Sequence, residues 1–236
     1  NHRPVALLPT EIETDYEGHE IFDFRKKYLP TSQVAHHCPP RFDFPVVEAI
    51  RTQSEELFSL FGMRDFARFD GWVDSMGRIW FSDFNPISGM EQNSFLFQQS
   101  ARVGLSHRAL LKSILTSACR REAVPLRPIR TGNSERTRKP VHVLFGGSTS
   151  ERQVSLMSGT NAWLKLRRSS RYAPRPFLLD LEQQVWEIPY GLTLYHTVEE
   201  IMDNCAQAAQ DADTMKPLAG EIKHRLRAEP PGSGDD

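Results

Sequence analysis

The 236-residue chain is long enough for one large domain or two of about 100–150 residues each. Its 39% hydrophobic and 25% charged residues are ordinary globular shares and exclude disorder throughout. With 29 basic against 30 acidic side chains, the net charge of -1 predicts no affinity for nucleic acid or an anionic membrane.

No apolar run approaches the roughly 20 residues that span a bilayer. Cys38, Cys119 and Cys205 are far apart and form no CxxC pair, which fits a soluble protein of a reducing compartment. The start, Asn1-His-Arg-Pro-Val5, carries neither an initiator Met nor a signal-peptide pattern and reads as a point inside a longer chain.

In chain order, Val5–Leu8 reads as a short strand, Ile21–Phe24 as an extended piece, and Lys27 to Pro40 as a loop, since Pro30, Pro39 and Pro40 oppose a long element. Val46 to Phe61 places Val46, Val47, Ile50, Leu57, Phe58 and Phe61 near one helical face, with Gly62 as the stop. Ala67–Val73 and Arg78–Phe84 predict a hairpin around Asp74-Ser-Met-Gly77. Ser106 caps a predicted helix whose core stripe is Leu110, Leu111, Ile114, Leu115 and Ala118.

Residues 120–140 carry seven basic and two acidic residues and three prolines, and read as a solvated linker. Beyond it, Val141–Phe145 predicts a buried strand, Gly146-Gly-Ser-Thr-Ser150 a turn, Arg152 to Arg167 a helix, and Pro176–Leu179 a second strand. Thr197-Val-Glu-Glu200 is a capping box for a helix through about Ala209. This is the opening of a doubly wound α/β domain that stops after one unit. No short internal repeat is visible, and residues 211–236 are expected to be poorly ordered, above all from Glu229 onward.

The hairpin carries the chemistry. Strand alternation puts Arg68 and Asp70 on one face, and Asp83 and Asn85 on one face of the partner strand. Two carboxylates and an amide oxygen are hard donors of the kind Mg²⁺ takes when phosphate and water complete its shell. A neighbouring arginine can clamp a phosphoryl group or an oxyanion. Spacing alone leaves this reading and a solvated Arg68–Asp70 salt bridge both open. Pro86-Ile-Ser-Gly89-Met-Glu-Gln-Asn-Ser94 follows, a glycine-containing loop whose backbone can approach an anion, with Ser94 at a helix start. His36-His-Cys38 is weighed as a metal group and set aside for its place between a loop and two prolines. His107, Cys119 and Cys205 read as packing or surface residues, and the four tryptophans form no stacking platform.

Arg68-Phe-Asp70, then Asp83-Phe-Asn-Pro-Ile-Ser-Gly89-Met90, then Ser94 resembles the C-terminal signature of ATP-grasp enzymes, specifically the D-alanine–D-alanine ligases. Ile21 to Leu29 resembles the segment before and within that family's active-site loop, and Val143 to Gly159 its opening N-terminal motif. Together the likeness covers about residues 5–120 and 141–205, in an order that resembles the junction of two tandem ligase copies, as in plant relatives of the bacterial enzymes. The fold class this implies is α/β: an ATP-grasp C-terminal lobe over 1–120, a basic linker over 121–140, a partial doubly wound pre-ATP-grasp domain over 141–210, and a tail over 211–236.

The resemblance implies an ATP- and Mg²⁺-dependent ligase, with Mn²⁺ as an acceptable substitute, joining two D-alanines through an acyl phosphate. Asp70, Asp83 and Asn85 would ligate the metal; the family usually has Glu where Asp83 stands. Arg68 and the Gly89 N–H would stabilise the oxyanion, and Lys27 and Tyr28 would meet the phosphate and close the loop. Ser94 and the Phe95 N–H would hold the second D-alanine's carboxylate; Glu151 and Val154 would take the first D-alanine. The expected partners are D-alanine, ATP, and a second copy or the parent protein's intact ligase copies. The expected compartment is cytoplasm or plastid stroma. The family's central ATP-clasping domain has no counterpart here, so the isolated chain is expected to bind ATP weakly or not at all and to show no turnover. The alternative is a non-catalytic metal- or ligand-binding remnant of the fold.

Overall fold

The computed structural model describes residues 3–14, 34–125, 138–210 and 212–227. Ile21–Phe24, Lys27, Tyr28 and most of the expected linker lie outside these residues. The chain divides into two units, one of residues 1–11, 38–126 and 211–236, the other of residues 12–37 and 127–210.

In the first unit, Val5–Leu8 is not the expected strand. The Ala6 N–H donates to Glu55 Oε1 at 2.9 Å, and the Ala6 carbonyl accepts from Arg51 Nε at 3.2 Å. Side chains of helix α1 (Phe44–Leu60) thus satisfy a backbone that a strand partner would otherwise pair. Helix α1 stops at Gly62, whose φ of +61° favours glycine. Helices α2 (Phe95–Arg102) and α3 (His107–Arg121) follow, and Ser106 Oγ caps α3 by accepting from the Ala109 N–H at 3.3 Å. The expected stripe of α3 is narrower than predicted. Leu110 is buried, Leu111, Ile114 and Ala118 are half-buried, and Leu115 is exposed.

The expectation of a poorly ordered tail is corrected over Ala212–Arg227, which forms a helix, here α6. Leu218 and Ile222, one turn apart, join Leu8, Cys38, Val47, Val103 and Leu105 in the core of this unit. Arg225 reaches Glu55 Oε2 at 2.9 Å and the Pro4 carbonyl at 2.6 Å. The i, i+4 apolar spacing explains the docking.

In the second unit, β5 (Lys139–Gly146) pairs in parallel with β6 (Tyr172–Leu179) through the intervening helix α4 (Arg152–Leu166). Strand β7 (Val185–Glu187) then adds antiparallel to β6. The helix comes so close to β5 that a Cβ on Gly159 would meet Phe145 Cβ at 2.5 Å. The capping box forms as expected at the start of α5 (Val198–Gln210): the Glu200 N–H donates to Thr197 Oγ1 at 3.0 Å, and the Thr197 N–H to Glu200 Oε2 at 3.3 Å.

Strands β1 (Glu11–Thr14) and β2 (Val34–His37) form a separate two-stranded sheet, so the expected loop from Lys27 to Pro40 contains a strand. Strand β2 groups with the second unit, not with the rest of residues 1–120, because it is tied to α5. His36 Nδ1 lies 2.6 Å from Glu200 Oε1, and Asn204 Nδ2 donates to the His36 carbonyl at 2.9 Å. His36, His37 and Cys38 diverge: His37 pairs with Glu13, and Cys38 is buried in the first unit, where burial pushes its thiol up to about 11. Among the described residues no helix is long and apolar enough to cross a membrane.

Candidate active site on the hairpin

Strands β3 (Arg68–Val73) and β4 (Ile79–Asn85) form the expected hairpin. Asp74 shapes its turn, Oδ1 accepting from the Met76 and Arg78 N–H groups at 2.9 Å, and Gly77 takes a φ of +76°. The register sets Arg68 opposite Asn85 and Asp70 opposite Asp83. Directly opposed residues share a face, so all four polar side chains belong to one face of the ribbon.

The next pair is Gly71 with Phe81, which leaves Ser82 as an extra residue, a β-bulge. Strict alternation would place Phe81 beside Asp83. The bulge instead returns Phe81 to Phe69 and Phe84, with ring centroids 6.2 and 6.5 Å away, and Phe84 also packs on Phe61 at 5.0 Å. Phe69, Phe81 and Phe84 thus share one face, and the opposite face carries the four polar groups, followed by the exposed pair Trp72 and Trp80.

On the polar face, Arg68 Nη2 donates to Asp70 Oδ2 at 2.9 Å, and Asn85 Nδ2 donates to Asp83 Oδ2 at 3.1 Å. The salt bridge weighed in the sequence is present, but it uses only part of the guanidinium. Arg68 Nε is buried and has no hydrogen-bond partner among the described residues. Two opposed carboxylates repel unless a cation lies between them. The Asn85 amide nitrogen is engaged, leaving its oxygen as the third donor.

This set fits a magnesium ion that takes one or two carboxylates and completes its shell with phosphate and water. Among the described residues, no three His, Cys, Asp or Glu side chains gather to hold a metal alone.

Past Asn85 the chain runs through Gly89 to Ser94, the N-cap of α2. The nearest atoms to where a Cβ on Gly89 would point belong to the flexible Glu91 carboxylate, which can move aside for a close approach to this backbone. Ser94 makes no capping bond with its side chain, and its Oγ is buried without a partner among the described residues. A helix start supplies unpaired amides and positive dipole, so an idle hydroxyl at that point suits a carboxylate.

Arg68, Asp70, Asp83 and Asn85 are thus brought together on one surface, and Gly89, Ser94 and Phe95 follow in the same unit. Glu151 and Val154 belong to the second unit, at the N-cap and first turn of α4, with Val154 exposed. Two residues to which the sequence reading gave no site role matter here, His107, read as packing or surface, and Gln98. His107 Nε2 lies 2.6 Å from the Gln92 carbonyl oxygen, and Gln98 Nε2 donates to the Asn93 carbonyl at 2.8 Å. Nothing in local spacing signals those contacts.

The mixture of helices and strands is an α/β arrangement, consistent with an ATP-grasp ligase C-terminal part. Residues 1–116 match the family model described as D-ala D-ala ligase C-terminus, which supports a ligase C-terminal part over that stretch. It is similar to curated D-alanine–D-alanine ligases: 31% identical over 121 residues to that of Kineococcus radiotolerans, covering 50% of this chain and 32% of the relative. The ligase of Kocuria rhizophila is 28% identical over 116 residues, 49% of this chain and 30% of the relative. That of Halorhodospira halophila is 30% identical over 115 residues, 49% of this chain and 36% of the relative. The chain spans about a third of the length of the curated relatives it matches.

Proposed function

We propose that this chain is part of a ligase that joins two D-alanine molecules at the expense of ATP. The observation that carries this is the polar face of the hairpin, where Asp70 opposes Asp83 and Arg68 opposes Asn85, followed by an idle buried hydroxyl at Ser94.

A carboxylate is a poor acyl donor, so it must first be phosphorylated and only then attacked by an amine. A protein serves such chemistry by placing anions and offsetting charge. Asp70, Asp83 and Asn85 would hold Mg²⁺, or Mn²⁺ in its place, and the bound ion would neutralise the ATP phosphates. Arg68, with Nε still available, and the Gly89 N–H would stabilise the oxyanion. Ser94 and the Phe95 N–H would anchor the carboxylate of the attacking D-alanine. Lys27 and Tyr28 would close over the phosphate, and Glu151 and Val154 would receive the first D-alanine. Asp83 is one methylene shorter than the family's usual Glu, so it would still reach a metal but would weaken or shift its hold on one ion.

The reading takes D-alanine and ATP as small-molecule partners and includes neither nucleic acid nor membrane. It includes assembly with a second copy or with complete ligase copies of the parent protein, in the cytoplasm or plastid stroma. The domain order proposed is a ligase C-terminal lobe, a linker, and the opening domain of a second ligase copy.

Calorimetric titration of the chain with Mg²⁺ and ATP, beside an Asp70→Ala/Asn85→Ala variant, tests the site. Heat in the parent that disappears in the variant supports it. Equal heat in both removes the hairpin from the reading. No heat in either assigns nucleotide binding to the larger protein alone and favours the non-catalytic alternative for this piece.

A further inference from the structure

The last four carbonyls of the loop that carries Ser94, those of Glu91 to Ser94, are each held. The Glu91 carbonyl accepts from the Ser94 N–H at 3.0 Å, and the Ser94 carbonyl accepts from the Phe97 and Gln98 N–H groups at 3.0 and 2.9 Å. The Asn93 carbonyl accepts from Nε2 of Gln98, a fully buried side chain, at 2.8 Å. The Gln92 carbonyl has His107 Nε2 at 2.6 Å; a carbonyl only accepts, so Nε2 is the donor. The His107 ring also stacks on Phe97, in the first turn of α2, with centroids 4.0 Å apart and planes at 25°.

His107 is the first residue of α3, which Ser106 caps. Its position is therefore set by a helix that takes no part in the loop. One side chain thus fixes both the loop before Ser94 and the helical turn after it. Between these two restraints the Ser94 hydroxyl is buried without a partner among the described residues.

We propose that His107 is a positioning residue for the anion anchor formed by Ser94 and Phe95. This rests on the reading that the anchor takes the carboxylate of the attacking D-alanine. The Nε2–H sets the reach of the loop, and the stack on Phe97 sets the angle at which α2 begins. Phe at position 107 would keep the stack and lose the donor; Gln would keep a donor and lose the stack.

The test is amide hydrogen exchange and a D-alanine titration followed by ¹⁵N spectra, on the full chain and on His107→Phe and His107→Gln. In His107→Phe, exchange at Gln92 to Phe95 should quicken and D-alanine should bind about five- to tenfold more weakly, as expected for one lost hydrogen bond. Exchange in α1 should stay unchanged, and His107→Gln should recover most of both effects. Unchanged exchange at Gln92 to Phe95 in His107→Phe overturns the proposal, whatever D-alanine does. If the parent chain does not respond to D-alanine while the loop still loosens in His107→Phe, the positioning role stands and the D-alanine reading of Ser94 falls. Should His107→Phe fail to fold, the imidazole spectrum of the parent decides: a slowly exchanging Nε2–H supports the bond, and an unprotonated Nε2 overturns it.

Discussion

Asp70 and Asp83 stand directly opposite each other across the hairpin, one position before β4 takes in Ser82. Two like charges in that relation weaken a two-stranded ribbon unless a cation joins them. The hairpin therefore gives up some stability of its own to present a divalent acidic pair. Asp83→Asn should raise the stability of the free chain by about 0.2–1 kcal/mol. The same change should abolish any rise in melting temperature on adding Mg²⁺ and ATP. Thermal unfolding with and without both reads the two effects together; an equal Mg²⁺–ATP response in Asp83→Asn would rule out the carboxylate pair.

Helix α6 places Leu218 and Ile222 in the first unit's core, with Ala219 and Leu226 packed against it. Ile222 is completely buried, so Ile222→Ala should cost about 2–5 kcal/mol, measured by urea unfolding. A loss below about 0.5 kcal/mol would mean that α6 is undocked in solution.

Acid should weaken the second unit. Burial works against a charged Glu200, but the His36 hydrogen bond and the His196 amide outweigh it, so its carboxyl is held below the ordinary 4.5. Burial pushes His196 below its ordinary 6.5. In both cases the unfolded chain binds more protons at low pH, so stability falls as pH falls. The first decline should begin as pH passes below about 6.5 and the second below about 4.5. Urea midpoints between pH 8 and 4 measure it, and His196→Gln should remove the first stage only. Constant midpoints through that range would contradict both shifts.

One chemical change should act with opposite sign at two glycines. At Gly159 a new methyl meets Phe145, so Gly159→Ala should destabilise by about 1–3 kcal/mol. At Gly220, in α6, a Cβ finds no atom within 4 Å, and Gly220→Ala should stabilise by about 0.5–1 kcal/mol through helix propensity alone. Denaturant curves of the two variants side by side decide the matter, and matching signs would refute the close contact at Gly159.

Local signals were legible where one short stretch determines the geometry. The Thr197–Glu200 box, the Gly62 stop and the Asp74–Gly77 turn all formed because capping and turn chemistry act within a few residues. The residue types of the candidate site were legible too, but not their opposition: that depends on register, which the turn fixes from a distance. Ser82 escaped notice because nothing in a short alternating run marks which residue a bulge will take. Helix α6 escaped because its apolar stripe is sparse and means little until Val47 and Leu105 are known to lie opposite. The irregular run at Val5–Leu8 looked like a strand because apolar residues that line a core read the same whatever pairs with their backbone.

The chain enters the first unit, leaves it and returns through α6. Neither unit therefore corresponds to one continuous stretch of gene. A fragment cut after residue 126 would lack the helix that covers Leu8, Val47, Val103 and Leu105, and would expose that apolar surface to aggregation. Conversely, a single proteolytic nick in residues 127–137 should not release the N-terminal fragment. The two pieces should travel together through gel filtration, as a non-covalent complement held by the docked C-terminal helix.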